Sequence, residues 1–215
     1  MNEKELKSKY GNCICKLDQI PDEFDWLMNR FQKLDPSNIC EIGSWHGGTL
    51  FYWLSHSRPG SKVVSVDINH AHVELTVDRW KMNSTPDVSK LHLITGDSAS
   101  KETARKVKKI LPTIDFLFVD GDHTREGLIA DLETYGPMVR KGGIISIHDT
   151  DPRVIEVQER GGHGVSRVWQ ELKEYTKGHR YEEIFLRKET ARLSSYGIGV
   201  IHVGKTFHPK LNLGR

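Results

Sequence analysis

Five short apolar runs, rich in β-branched residues and separated by longer stretches of helical period, constrain this chain more than any other feature: Asn38–Gly43, Lys62–Asp67, Leu91–Thr95, Ile114–Asp120 and Gly143–His148. Near-continuous apolar runs of this length suit strands covered on both faces. The intervening stretches, near Gly48–His56, Ala71–Met82, Lys101–Leu111 and Thr124–Val139, are long enough to be right-handed crossovers between parallel neighbours. In the last of them Leu128, Leu132 and Tyr135 share one helical face. Ahead of the first run, Phe24, Leu27, Met28, Phe31 and Leu34 predict an amphipathic helix over residues 21–35.

After residue 150 the pattern changes. An Asp-Pro-Arg step and the glycine-rich stretch Gly161–Gly164 read as a flexible segment, followed by a helix in which Val165, Val168, Trp169, Leu172 and Tyr175 recur at 3–4 spacing. Two more strands, about Tyr181–Leu186 and Tyr196–His202, are joined by a short polar link and read as an antiparallel pair. The expected fold class is α/β: a Rossmann-like three-layer sandwich whose seven-stranded, mostly parallel sheet has an antiparallel last strand. One domain is expected over residues 1–215, with 1–20 loosely held, 38–203 as the core and the tail from Lys205 frayed.

Composition removes several classes of function. With 31 Lys plus Arg against 29 Asp plus Glu the formal charge is +2, so no strong field favours nucleic acid or an anionic membrane. No apolar run reaches the ~18–20 residues that cross a bilayer, and the opening MNEKELKSKYGN has no apolar signal core, which points to the cytoplasm. Cys13, Cys15 and Cys40 are too few and oddly numbered for a disulfide framework and are read as reduced thiols.

In open α/β sheets ligands gather beyond the carboxyl ends of the strands. The first run ends Cys40-Glu41-Ile42-Gly43-Ser44-Trp45-His46-Gly47-Gly48-Thr49, a glycine turn that lets backbone approach a ligand and opens a helix. Its Gly-x-x-x-Gly-Gly spacing is not the Gly-x-Gly-x-x-Gly of dinucleotide sites, and Glu41 is placed to accept from a cationic ammonium group. Asp67, about two dozen residues past Gly43, suits the two hydroxyls of a ribose. Gly96-Asp97-Ser98 suits an adenine edge.

These segments, with Phe118-Val119-Asp120-Gly121-Asp122-His123, resemble the ordered motifs of class I S-adenosylmethionine-dependent methyltransferases. Gly142-Gly143, His148-Asp149-Thr150 and Gly164-Val165-Ser166-Arg167-Val168-Trp169 narrow the resemblance to small-molecule O-methyltransferases that tailor sugars and antibiotics, a group that includes cephalosporin-hydroxylase-like proteins. The resemblance implies that Glu41, Gly43, Ser44, Trp45, His46, Gly47 and Gly48 hold the methionine part of the cofactor, Asp67 the ribose, and Asp97 with Ser98 the adenine. By the same resemblance Asp120 is expected in the cofactor site. It further implies a divalent cation, Mg or Mn, on Asp120, His148 and Asp149, with His123 and Asp120 as catalytic residues. His148 departs from the acid of the metal-dependent relatives, and an imidazole favours Mn²⁺, Fe²⁺ or Zn²⁺ over Mg²⁺. His123 has the intrinsic pKa of a general base.

The implied partner is a small hydroxylated acceptor, sugar or phenol, and a homodimer is the default assembly. The acceptor is expected to meet residues 1–35, the 150–164 segment and the link 187–195, with His163 as a contact. Arg105–Lys109 reads as a solvated face, and His56, His70, His72, His92, His179 and His208 receive no role. Two other readings compete: an NAD-dependent oxidoreductase, which shares Asp67 and the glycine turn, and a non-catalytic nucleoside-binding protein.

Overall fold

A computed structural model describes residues 17, 19–82, 86–186 and 196–209. Helix α1 (Pro21–Leu34) leads into β1 (Asn38–Ile42), α2 (Gly48–His56), β2 (Lys62–Asp67), α3 (Ala71–Met82), β3 (Leu91–Thr95), α4 (Lys101–Ile110), β4 (Ile114–Val119), α5 (Arg125–Tyr135) and β5 (Val139–His148). Then come α6 (Ile155–Arg160), α7 (Val165–Tyr175), β6 (Arg180–Ile184) and β7 (Ile198–His202). The strands form one seven-stranded sheet in the order β3-β2-β1-β4-β5-β7-β6. The first five are parallel, and β7 runs antiparallel to both neighbours. The seven-stranded α/β sandwich is therefore as its sequence pattern predicts.

Each face of the sheet carries a hydrophobic layer. Phe24, Leu27 and Phe31 of α1 pack with Trp53 of α2 and Trp80 of α3 on one side. Leu128 and Leu132 of α5 pack with Val168 and Trp169 of α7 on the other. Complete burial of a Phe or Leu side chain contributes roughly 1.5–3 kcal/mol, so these layers hold the helices to the sheet. Local signals set the helix starts: Pro21 opens α1, the Ser100 hydroxyl accepts from Thr103 N at 3.1 Å, and the Thr124 hydroxyl accepts from Gly127 N at 3.0 Å.

The structure departs from the sequence pattern in four places. The helix expected to run to Val139 stops at Tyr135, because Gly136-Pro137 turns the chain and Val139 pairs with Ile114, lengthening β5 across a bulge. The segment expected to be flexible after Asp149 contains α6, tied down where the buried Gln158 amide donates to Asp149 O and accepts from Ser166 N, each at 2.9 Å. Tyr175, read as part of the packed face of α7, is exposed at the last turn. Gln19, in the stretch expected to be loose, is buried. Cys40 is a buried free thiol, whereas Cys13, Cys15 and the 187–195 link lie outside the described residues.

Candidate active site

The carboxyl ends of β1, β2, β3, β4 and β5 open onto one cavity of about 1060 Å³. Its floor is made by a close approach of backbones. Gly43 N donates to Val66 O and Asp120 N donates to Ile42 O, both at 2.8 Å, so three strand ends are stitched side by side. Gly43 has φ +79°, and a Cβ there would stand 2.2 Å from the Asp120 carbonyl oxygen, so only glycine fits. Gly47, at φ +82°, caps α2. Trp45 adopts φ +42°, a conformation few non-glycine residues hold, and projects 55% exposed at the cavity rim.

Asp67 organises this turn. Its Oδ2 accepts from Ser44 N at 2.8 Å and Trp45 N at 3.2 Å, and its Oδ1 accepts from Asn69 N at 3.0 Å. A carboxylate has about four acceptor positions, so Oδ1 keeps capacity for a ligand hydroxyl. Ser44, His46, Gly48, Ile68, Asp97 and Ser98 share the cavity wall with it. Glu41 does not. It is fully buried under the turn, where the Thr49 hydroxyl donates to it, and Thr49 faces the cavity in its place. Burial, reinforced by Asp120 and Asp67, pushes the Glu41 carboxyl up to about 8, so it is largely protonated at neutral pH.

On the opposite wall, His123 Nε2 lies 3.3 Å from Asp120 Oδ1, and its Nδ1 lies 3.5 Å from Asp149 Oδ2. His148 Nδ1 stands between the same two acids, 3.2 Å from Asp120 Oδ1 and 3.1 Å from Asp149 Oδ1. Burial disfavours charging His148, yet the two carboxylates outweigh it and push its pKa up to about 10. Burial would likewise raise Asp120, but His148 and His123 hold it down at about 2. The two carboxylates thus favour the charged form of the His148 ring. Asp149, more deeply enclosed, is held above the usual carboxylate range by burial. It adopts φ +64°, a strained conformation fixed where Gln158 and the Ser166 hydroxyl donate to its carbonyl at 2.9 Å.

Among the described residues, the group able to close around one ion is Asp120, His123 and Asp149, each offering an atom within 4.8 Å of the others. His123 belongs to that group, and His148, which the resemblance implied as a ligand, meets the same two acids through Nδ1. The donor set fits a divalent cation: both Asp149 oxygens are buried without a hydrogen bond, despite their ion-pair distances to the histidines. Among the described residues, no helix is long and apolar enough to cross a membrane.

Three contributors escaped sequence reasoning. Gln19 Nε2 donates to Asp120 Oδ2 at 2.9 Å, across 101 positions of chain. Tyr196 lines the same cavity. Glu23, fully buried in α1, accepts from Leu186 N at 2.5 Å and Gly197 N at 3.0 Å. No local pattern marks Gln19 and Glu23, because their partners lie far away in sequence. His163, expected as a substrate contact, does face the cavity and packs edge-on against His123, ring centres 5.5 Å apart.

The similarities to known proteins agree with this geometry. Over 135 residues the chain is 26% identical to the rhamnosyl O-methyltransferase of Mycobacterium leprae (strain TN), covering 61% of this chain and 56% of that protein. The rhamnosyl O-methyltransferase of Mycobacterium tuberculosis (strain ATCC 25618 / H37Rv) is 25% identical over 122 residues, 55% of this chain and 48% of that protein. The matches span about half the length of these relatives. In fold, the chain is similar to the O-methyltransferase from Bacillus cereus in complex with SAH, with a TM-score of 0.69 and 17% identity, covering 94% of this chain and 89% of that one. Residues 40–150, just over half of the chain, match the family model described as a methyltransferase domain, and their strand ends build the cavity's glycine turn and acids. The chain belongs to the methyltransferase domain family.

Proposed function

We propose that this chain transfers a methyl group from S-adenosylmethionine to a hydroxyl oxygen of a small molecule, a sugar or a phenol. The observation that carries the reading is the His123–Asp120–Asp149 group facing the glycine turn and Asp67 across a single cavity. The relatives named rhamnosyl O-methyltransferase support a sugar hydroxyl as acceptor.

Bound S-adenosylmethionine supplies an electrophilic methyl on a sulfonium. Asp67, through the free capacity of Oδ1, takes the ribose; Asp97 and Ser98 take the adenine; and the turn Gly43–Gly48 takes the methionine end. Glu41, protonated beneath the turn, shapes it without adding a second negative charge. His123 removes the acceptor proton as oxygen attacks, and Asp120 and Asp149 stabilise the imidazolium that forms. Positioning does the rest, since methyl carbon and oxygen must meet at near-attack distance.

A divalent cation, Mg or Mn, is the alternative activator: held by Asp120, Asp149 and His123, it would lower the pKa of a bound hydroxyl in place of proton removal by the imidazole. A structurally similar methyltransferase, MycE of the mycinamycin pathway, was solved with Mg and SAH; its TM-score is 0.57 at 18% identity.

Calorimetric titration with S-adenosylmethionine and with NAD, each with and without Mg²⁺ or Mn²⁺, tests the donor. Micromolar binding of S-adenosylmethionine is expected. Binding of NAD alone would make this an oxidoreductase. Mass spectrometry of rhamnosides and catechols after incubation then tests the acceptor, the expected product being heavier by one methylene.

A further inference from the structure

His70 follows the second strand and was assigned nothing by its sequence context, yet it is buried and both ring nitrogens are engaged. Nε2 lies 3.0 Å from Ser65 Oγ, and Nδ1 lies 2.9 Å from Thr95 Oγ1. Ser65 Oγ lies 2.8 Å from Ser44 Oγ, which in turn lies 3.5 Å from Asp67 Oδ2. A continuous hydrogen-bonded chain thus runs beneath the donor half of the cavity, joining the ends of β3, β2 and β1: Thr95, His70, Ser65, Ser44, Asp67.

The chain has a direction. A carboxylate only accepts, so the Ser44 hydroxyl donates to Asp67 and must accept from Ser65. Ser65 then has its proton committed and accepts from His70, which requires hydrogen on Nε2. The bare Nδ1 accepts from Thr95. Burial holds the His70 pKa below its ordinary value, as a neutral ring requires, although Asp67 and Glu74 oppose this.

The geometry points to His70 as a positioning residue for the nucleoside half of the donor site: as the neutral Nε2–H tautomer it fixes, through Ser65 and Ser44, the glycine turn and the orientation of Asp67, without touching the ligand. This rests on the proposed donor site, and the two readings are separable. Failure of the wild-type protein to bind S-adenosylmethionine removes the donor reading itself. Given wild-type binding, titration of His70→Ala, His70→Gln and Ser65→Ala with S-adenosylmethionine tests the relay.

Loss of an ordering contact in such a network typically costs about tenfold or more in affinity, and that loss is expected for His70→Ala and Ser65→Ala. His70→Gln, whose amide nitrogen reaches the Nε2 position, restores affinity to within about threefold. In the methyl-transfer assay KM for the donor rises while KM for the acceptor stays put. Nitrogen-detected NMR of the wild-type ring should show Nδ1 as the bare nitrogen. Wild-type affinity in both His70→Ala and Ser65→Ala overturns the proposal. So does an Nδ1–H tautomer, or equal losses in His70→Gln and His70→Ala. Should His70→Ala fail to fold, Ser65→Ala, His70→Gln and the tautomer still decide the question.

Discussion

Replacing Gly43 by alanine tests whether the cavity floor depends on backbone contact. The new Cβ would lie 2.2 Å from Asp120 O and 2.6 Å from both Asp120 C and Gly121 Cα. Relief to an ordinary carbon–oxygen contact, near 3.5 Å, requires β1 and β4 to part by about 1 Å at this end. That stretches the 2.8 Å bond from Asp120 N to Ile42 O beyond hydrogen-bonding range. The left-handed φ of +79° adds its own penalty of ~1–2 kcal/mol, the lost bond ~1 kcal/mol and the residual strain ~1–3 kcal/mol, together about 3–6 kcal/mol. Gly60 supplies the control: its φ is +80°, but a Cβ there meets nothing within 4 Å, so Gly60→Ala carries only the conformational cost of ~1–2 kcal/mol. Urea unfolding of the two variants beside wild type measures the difference, and calorimetry reads whether Gly43→Ala still binds S-adenosylmethionine. Equal destabilisation by the two substitutions would refute the argument, because the close approach would then contribute nothing.

Further outcomes follow from the same geometry. Glu41 keeps its proton up to about pH 8, whereas the unfolded chain releases it near 4.5, so its contribution to stability is greatest below 4.5 and falls as pH rises through this window, by on the order of 5 kcal/mol in full. Thermal unfolding of wild type and Glu41→Gln across pH 4–8 checks this; a slope unchanged in Glu41→Gln would assign it elsewhere. His123→Ala should lower turnover by about 10²–10⁴-fold while leaving donor affinity within a few-fold, as read by product formation and calorimetry. Glu23→Gln leaves one oxygen to serve the two amides of Leu186 and Gly197 and should cost roughly 1–3 kcal/mol, measured by urea denaturation. Dialysis against a chelator should lower activity if the cation is required, with recovery on adding Mn²⁺ or Mg²⁺; full activity after verified metal removal would leave proton removal to His123 alone.

Much of the frame was legible because its causes are local. Strands β2 and β3 match their apolar runs end to end, and Ser100 and Thr124 announce the helices they cap. Gly43, Asp67, Asp97 and Asp120 were placed at strand ends by runs that stop just before or at them, and a parallel sheet brings such ends together. What misled was also local: the apolar face of α5 extrapolates smoothly into Met138 and Val139, and only pairing with Ile114 makes that stretch a strand. That His123 as well as His148 meets both acids was not legible, because it depends on how the ends of β4 and β5 come together in space.

By itself the sequence determined the alternation of strands and helices, and with it a parallel sheet whose strand ends carry glycine and acid, because hydrophobic period and turn chemistry act within a few residues. Tertiary structure alone decided the protonation and partnership of the groups in the cavity. Glu41 becomes a buried acid, His148 a ring drawn towards its charged form by two carboxylates, Gln19 a hydrogen-bond donor to Asp120 across 101 positions, and His70 a link in a chain reaching Asp67. The physical reason is that desolvation, Coulomb interaction and hydrogen bonding depend on distance in space, and the sheet brings together groups that the chain keeps far apart.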